Sequence, residues 1–280
     1  MNGQVCPIAK MEKLLIATDG SEFSENAIRE AINLAKTCSS KLYAVSIVKT
    51  NPEFEDLVPQ VIEKLGKEAI RHLESIKNRA SKENIDCEII VNRSEEPYQN
   101  IVDEAAKNQV DMIIVGTHGR TGLKRLMMGS VTAKVIGHAP CKVMVIPKDA
   151  RLTFEKILIA TDGSVYSELA SREAISIAKH TGSGLIAISI AKKDENLPVA
   201  KESVDMVREI AERKGIKVEA LTLKGEPYEV IVKTAKQKNA GLTVVGSHGR
   251  TGAERLLMGS VTERVIGHSG TAILVVRKPQ

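Results

Sequence analysis

The chain contains one segment pattern twice. KLLIATDGSEFSENAIREAINLAK at 13–36 aligns with KILIATDGSVYSELASREAISIAK at 156–179, which places Asp19 on Asp162 with an offset of 143. Gly116-Thr-His-Gly119, nine residues and Gly129-Ser130 recur as Gly246-Ser-His-Gly249, nine residues and Gly259-Ser260, with an offset of 130. Unequal offsets mean that the first copy carries about 13 extra residues between the two anchors. They are expected in NPEFEDLVPQVIEKLGKEAI, after the second strand. A polar link at PKDARLTF (147–154) divides the 280 residues into domains 1–149 and 150–280, each long enough to bury its own core.

Within each copy the hydrophobic period alternates. KLLIAT is a short apolar run that ends in Asp-Gly-Ser, a turn and helix-start cluster. Ala27, Ile28, Ala31, Ile32, Leu34 and Ala35 then recur at helical spacing. KLYAVSIVK and LIAISIAK predict second strands, CEIIV and VEALTL third strands, and DMIIVG and LTVVG fourth strands. Helices are expected from EPYQNIVDEAAKNQ and EPYEVIVKTAKQKN, with Pro97 or Pro227 in the first turn. CKVMVIP and TAILVVR are the last strands. Strand–helix alternation with nearly all-apolar strands predicts an α/β fold: two tandem doubly wound domains, each a buried parallel sheet with helices on both faces.

The glycine loops carry the chemistry. Each follows a strand and precedes a helix, an arrangement that offers unpaired N–H groups and a helix dipole to an anion. Side chains at Gly116 or Gly119 would obstruct a phosphate approaching the main chain. Ser130 is expected as the N-cap of the next helix, and Ser260-Val-Thr-Glu263 has capping-box spacing. Asp19 and Asp162 could bond a ribose hydroxyl, help hold a divalent ion, or cap the following helix. Arg120 and Arg250 could pair with phosphate or with acidic neighbours. His118 and His248 lack a nucleophile–base–acid set, so packing roles are expected and no catalytic residue is assigned. His138 and His268 suit helix C-termini, and Met127, Met128 and Met258 suit the core or the face of a base.

Composition narrows the partners. A hydrophobic fraction of 42% with 27% charged residues is globular, and the net charge of +5 is scattered along the chain. Aromatics are 2% with no Trp, so stacking platforms for nucleic acid are missing and none is expected as partner. Cys6, Cys38, Cys87 and Cys141 lie in the first half without a C-x-x-C pair, so reduced thiols are expected. MNGQVCPIAK lacks the apolar segment of a signal peptide, and no apolar run reaches the ~18 residues of a membrane span. A cytoplasmic location is expected.

With these residues laid out, the chain resembles the universal stress protein family, in its ATP-binding subgroup. The resemblance rests on Ala17–Ser21 and Ala160–Ser164 (A-T-D-G-S), together with G-x2-G-x9-G-S in both copies, and it spans nearly the whole chain. It implies five-stranded parallel sheets of the adenine nucleotide alpha hydrolase-like kind. It implies that ATP or AMP binds once per domain, with adenine at the main chain of Ile47 or Ile190 and ribose at Asp19 or Asp162, beside Ala17, Thr18, Ala160 and Thr161. The phosphates would lie on Gly116, His118, Gly119, Arg120, Gly129, Ser130 and Val131, and on Gly246, His248, Gly249, Arg250, Gly259, Ser260 and Val261. Magnesium or manganese would accompany them near Asp19 and Asp162. Antiparallel pairing of the two last strands within the chain, and a homodimer, are implied as well. One departure, Gly241 in place of Asp111, puts equal affinity of the two sites in doubt. The expected function is nucleotide-dependent stress response or signalling with little or no turnover. The alternative is a slow metal-dependent ATPase, against which stand the missing G-x4-G-K-[ST] loop and the absence of clustered carboxylates.

Overall fold

The computed structural model describes residues 6–9, 11–119, 128–250 and 257–278. The first copy runs β1 (Lys13–Ala17), α1 (Glu22–Cys38), β2 (Lys41–Lys49), α2 (Pro52–Leu57), α3 (Pro59–Lys82), β3 (Cys87–Ser94), α4 (Pro97–Lys107), β4 (Met112–Gly116), α5 (Ser130–His138) and β5 (Lys142–Ile146). The second runs β6 (Lys156–Ala160), α6 (Val165–Thr181), β7 (Gly184–Ala191), a 3-10 turn at Asp194–Asn196, α7 (Leu197–Arg213), β8 (Val218–Lys224), α8 (Pro227–Gln237), β9 (Leu242–Gly246), α9 (Ser260–His268) and β10 (Ala272–Val276). The extra residues of the first copy therefore make α2 and lengthen α3 to 24 residues, against 17 in α7.

Ten strands form one sheet in the order β3-β2-β1-β4-β5-β10-β9-β6-β7-β8. Each half is parallel, and the halves meet where β5 and β10 pair antiparallel with Met144 opposite Leu274. All residues of β4 and β9 are buried, as a strand covered on both faces requires. One face carries α1, α3, α6 and α7 over a core that includes Ile28, Leu73, Ile175 and Val204. The other carries α4, α5, α8 and α9 through Ile101, Val135, Ile231 and Val265. Both halves are thus doubly wound, and the apolar layer on the α1 face continues across the junction.

Local chemistry sets the helix ends. Ser21 precedes α1 in an extended conformation, with Glu22 and Glu25 in the first turn beside the positive end of the dipole. The helix stops at Ser39 in the left-handed region, φ 55°, whose N–H returns to the carbonyls of Ala35 and Lys36. Gly182 fills that place after α6, at φ 70°. Polar ties cross between the halves, among them Arg277 donating to the Ala139 carbonyl at 3.0 Å. Asn26 of α1 donates to the carbonyls of Pro147 and Ala150 at 2.6 Å each, and Lys142 pairs with Glu173 of α6 at 2.6 Å.

The cysteines depart from expectation. Cys6 and Cys38 form a disulfide, with Cα atoms 4.4 Å apart across 32 residues of sequence. No local motif announces it. The segment before β1 buries Ile8 and Met11 in the core beside α1, and this carries Cys6 to the last turn of that helix. Cys87 and Cys141 remain free thiols. Burial pushes their pKa values up to about 11 and about 12, so both stay protonated at neutral pH. Among the described residues, no helix is long and apolar enough to cross a membrane.

Candidate functional site

Each half has a point where the strand order reverses. β1 pairs with β2 on one side and β4 on the other, and β6 pairs with β7 and β9 in the same way. The helices that leave these neighbouring strands pass to opposite faces, so a crevice opens at their carboxyl ends. In the first half it is a cavity of about 390 Å³. That lies within the ~300–1,000 Å³ of small-ligand sites.

Ala17, Thr18 and Asp19 of the first turn line this cavity together with Ile47, Gly116, His118, Gly119, Gly129, Ser130 and Val131. Arg120 and Met127 lie outside the described residues. Several lining residues escape the motif reading: Val45 and Lys49 on β2, Leu65 and Ala69 on α3, and Pro97 and Ile101 on α4. Each was within reach of spacing arguments. Val45 and Lys49 flank Ile47 at the two-residue strand period, and each helix pair is four residues apart on one face.

The Asp-Gly-Ser turn is held by its own side chains. Thr18 donates its N–H to Val45 at 3.0 Å, and its hydroxyl lies 2.8 Å from Ser24 and 3.2 Å from His72 of α3. Asp19 Oδ1 accepts the Ser21 N–H at 3.0 Å, and Gly20 takes φ 76°, a conformation that favours glycine. Asp19 thus shapes the turn before α1 without capping the helix, whose N-cap is Ser21. A Cβ at Gly119 would come within 2.6 Å of Asp19 Oδ2, so Gly119 passes directly over this carboxylate.

The helix start differs from expectation in one detail. Gly129, not Ser130, is the N-cap of α5, and Gly259 caps α9; no side chain caps either helix. Gly129 donates to the Thr117 carbonyl at 2.8 Å, and Thr132 Oγ1 donates to that of Gly116 at 3.0 Å. These tertiary bonds pull the loop so close that the extended cap residue is the glycine, and Ser130 becomes the first helical residue. The first-turn N–H groups of α5 therefore have no cap oxygen and border the cavity.

His118 packs into the loop with Nδ1 3.0 Å from Thr117 Oγ1, and its ring centroid lies 6.4 Å from that of Phe23. Its Nε2 is buried with no hydrogen-bond partner among the described residues, a polar atom that a ligand in the cavity could satisfy. His138 and His268 close their helices through Nδ1 bonds of 2.8 Å to Lys134 and Arg264, with rings about 5 Å from Tyr98 and Tyr228. Met258 is core, and Met128 packs beside it.

The second half repeats the frame. Thr161 bonds the Ile188 carbonyl at 2.9 Å, Asp162 Oδ1 accepts the Ser164 N–H at 3.0 Å, and Thr262 bonds Gly246 at 2.8 Å. Ala160 ends β6, while Ile190, partly buried on β7, and Val261 of α9 pack against one core cluster. Asp162 Oδ2 accepts the main-chain N–H of Arg250 at 2.9 Å, and a Cβ at Gly249 would stand 2.7 Å from that oxygen. His248 is buried 5.0 Å from the Tyr166 ring, with Nδ1 3.0 Å from Ser247. Gly241, the departure from Asp111, lies at the opposite end of the sheet. Asp111 accepts the N–H groups of Glu12 and Lys13 there, whereas Gly241 packs tightly on Thr153. This difference does not reach either crevice.

The model of the universal stress protein family matches residues 10–147 and again 153–277. The chain belongs to that family. A universal stress protein of Methanocaldococcus jannaschii is 37% identical over 143 residues, 45% of this chain and 84% of that protein. One of Synechocystis is 24% identical over 297 residues, covering 95% of this chain and all of its own length. Among solved structures, a universal stress protein from Archaeoglobus fulgidus superposes with a TM-score of 0.79 at 20% identity, covering 98% of this chain and 99% of that one. These likenesses place both repeats within the universal stress protein fold.

Proposed function

We propose that this universal stress protein binds an adenine nucleotide, ATP or AMP, in its crevices and acts in stress response or signalling with little or no turnover. The observation that carries the reading is the first cavity. An uncapped helix start, the glycines at 116, 119 and 129 and the Asp19 turn all face one space whose other walls include the apolar Val45, Ile47, Leu65 and Ile101. Such walls suit a base, and the N–H groups of the helix start suit phosphates. A divalent ion fits only as the nucleotide's companion. Among the described residues no three His, Cys, Asp or Glu side chains converge, so phosphate oxygens would supply most of its ligands beside Asp19.

Incubation of the full chain with ATP and magnesium, read as phosphate release against time, separates binding from hydrolysis. Bound ATP is expected to be recovered intact. Turnover near one per second, lost in the double variant Asp19→Ala/Asp162→Ala, would make it an enzyme instead.

A further inference from the structure

The helix α2 turns its apolar side outward. It buries no residue, and Phe54 and Leu57 are 52% and 77% exposed. Its partly buried side chain is Glu55, which reaches Arg93 of β3 at 3.7 Å. Between α2 and the end of β3 lies a polar hollow of about 300 Å³, bordered by Pro52, Glu55, Asp56, Arg93 and Ser94. A surface helix ordinarily packs its apolar side chains inward, and this one does the reverse.

The bonds around α2 let it move as a unit. Asn51 accepts the Phe54 N–H at 2.8 Å, so the helix carries its own cap. Before it, the Thr50 N–H is fixed to the Ser94 carbonyl at 3.1 Å. After it, Val58 is neither helical nor extended at φ −137°, ψ 55°, and Pro59 has no N–H to carry the helical ladder across. Pivots are left at 50–51 and at 58, and the partly exposed Glu55–Arg93 pair is a weak tie. Both flanks of this segment reach the first cavity, whose lining includes Lys49 on one side and Leu65 and Ala69 on the other. Val61, 48% exposed, stands one helical turn before Leu65 on the same face of α3. An apolar track therefore runs from the cavity wall at Leu65 through Val61 to the end of α2 at Leu57.

We infer that α2 is a lid of the first crevice: pivoting about Asn51 and Val58, it lays Phe54 and Leu57 over the Val61–Leu65 track and covers the bound base. This rests on the nucleotide reading above and adds to it a closing step that retains the ligand. Burial of two large apolar side chains drives closure against the loss of the Glu55–Arg93 pair, and the base supplies the contact that favours the closed state. Ile62 is buried and keeps α3 in place while α2 moves.

Hydrogen exchange of the full chain with and without ATP, read by mass spectrometry, tests this beside the variant Phe54→Ser/Leu57→Ser. Both side chains are exposed, so the variant is expected to melt with wild type in the absence of ligand. The lid predicts that ATP slows exchange of the amides at 53–58 by about fivefold or more in wild type. It also predicts that the variant releases ATP from one site about tenfold faster in stopped flow. ATP binding that leaves exchange at 53–58 unchanged, or equal release kinetics in the two chains, would overturn the lid and leave nucleotide binding intact. A wild-type dimer that the variant loses would overturn it too, because the apolar side of α2 would then belong to a second copy. Wild type that binds no ATP would remove the functional reading, and the lid with it.

Discussion

Ser39 and Gly182 end equivalent helices in the same left-handed conformation, and only one of them is suited to it. A side chain in that region costs ~1–2 kcal/mol, part of which glycine gives back through its freer unfolded chain. Ser39→Gly is therefore expected to stabilise the protein by ~0.5 kcal/mol, and Gly182→Ala to destabilise it by ~1 kcal/mol. Urea midpoints would read both, and equal shifts of one sign would contradict the account. At this scale the sequence was legible where chemistry is local. Asp19, Gly20 and Ser21 announce their turn because the bonds that hold it run within a few residues. His72 and the Cys6–Cys38 pair were not legible, since each meets its partner only through packing of distant segments.

The helix that begins at Ser130 has Gly129 as its cap and no acidic residue in its first turn. An aspartate at position 130 would meet the positive end of the dipole and add ~0.3–1 kcal/mol to the ligand-free protein. It would also place a negative charge where the phosphates are proposed to lie. Ser130→Asp should thus melt at or above the wild-type temperature without ligand, yet lose the stabilisation that ATP gives through the first crevice. That stabilisation is ~2.7 kcal/mol at a hundredfold excess over the dissociation constant. A Ser130→Asp chain that keeps the full ATP-dependent shift would exclude the α5 terminus as the phosphate cradle. Apart from α2 and the 3-10 turn at Asp194–Asn196, element order and type followed from alternating periods, and the proline starts of α4 and α8 fell as expected. The cap shifted by one residue because Gly and Ser are both good caps, and the choice was made by a loop bond to Thr117.

At the scale of the whole molecule, the antiparallel join of β5 and β10 turns two five-stranded sheets into one. A chain of residues 1–149 alone would leave β5, KVMVI, as an apolar edge with unpaired main-chain groups. Such a half is expected to pair with itself, Met144 near Met144, as a dimer in light-scattering chromatography; a stable monomer would mean that the join contributes little. The duplication made two domains visible, and family resemblance supplied their pairing. What the repeat concealed was the setting of its aligned lysines, because Lys49 lines the first cavity whereas Lys192 pairs with Glu226. Nucleotide binding itself is tested by a crystal structure of the full chain grown with excess ATP and magnesium. A triphosphate is expected across Gly116, Gly119 and the first turn of α5, with adenine against the main chain of Ile47 in the first crevice. Density for ATP outside the two crevices, or a first crevice left without nucleotide at saturating concentration, would contradict that reading.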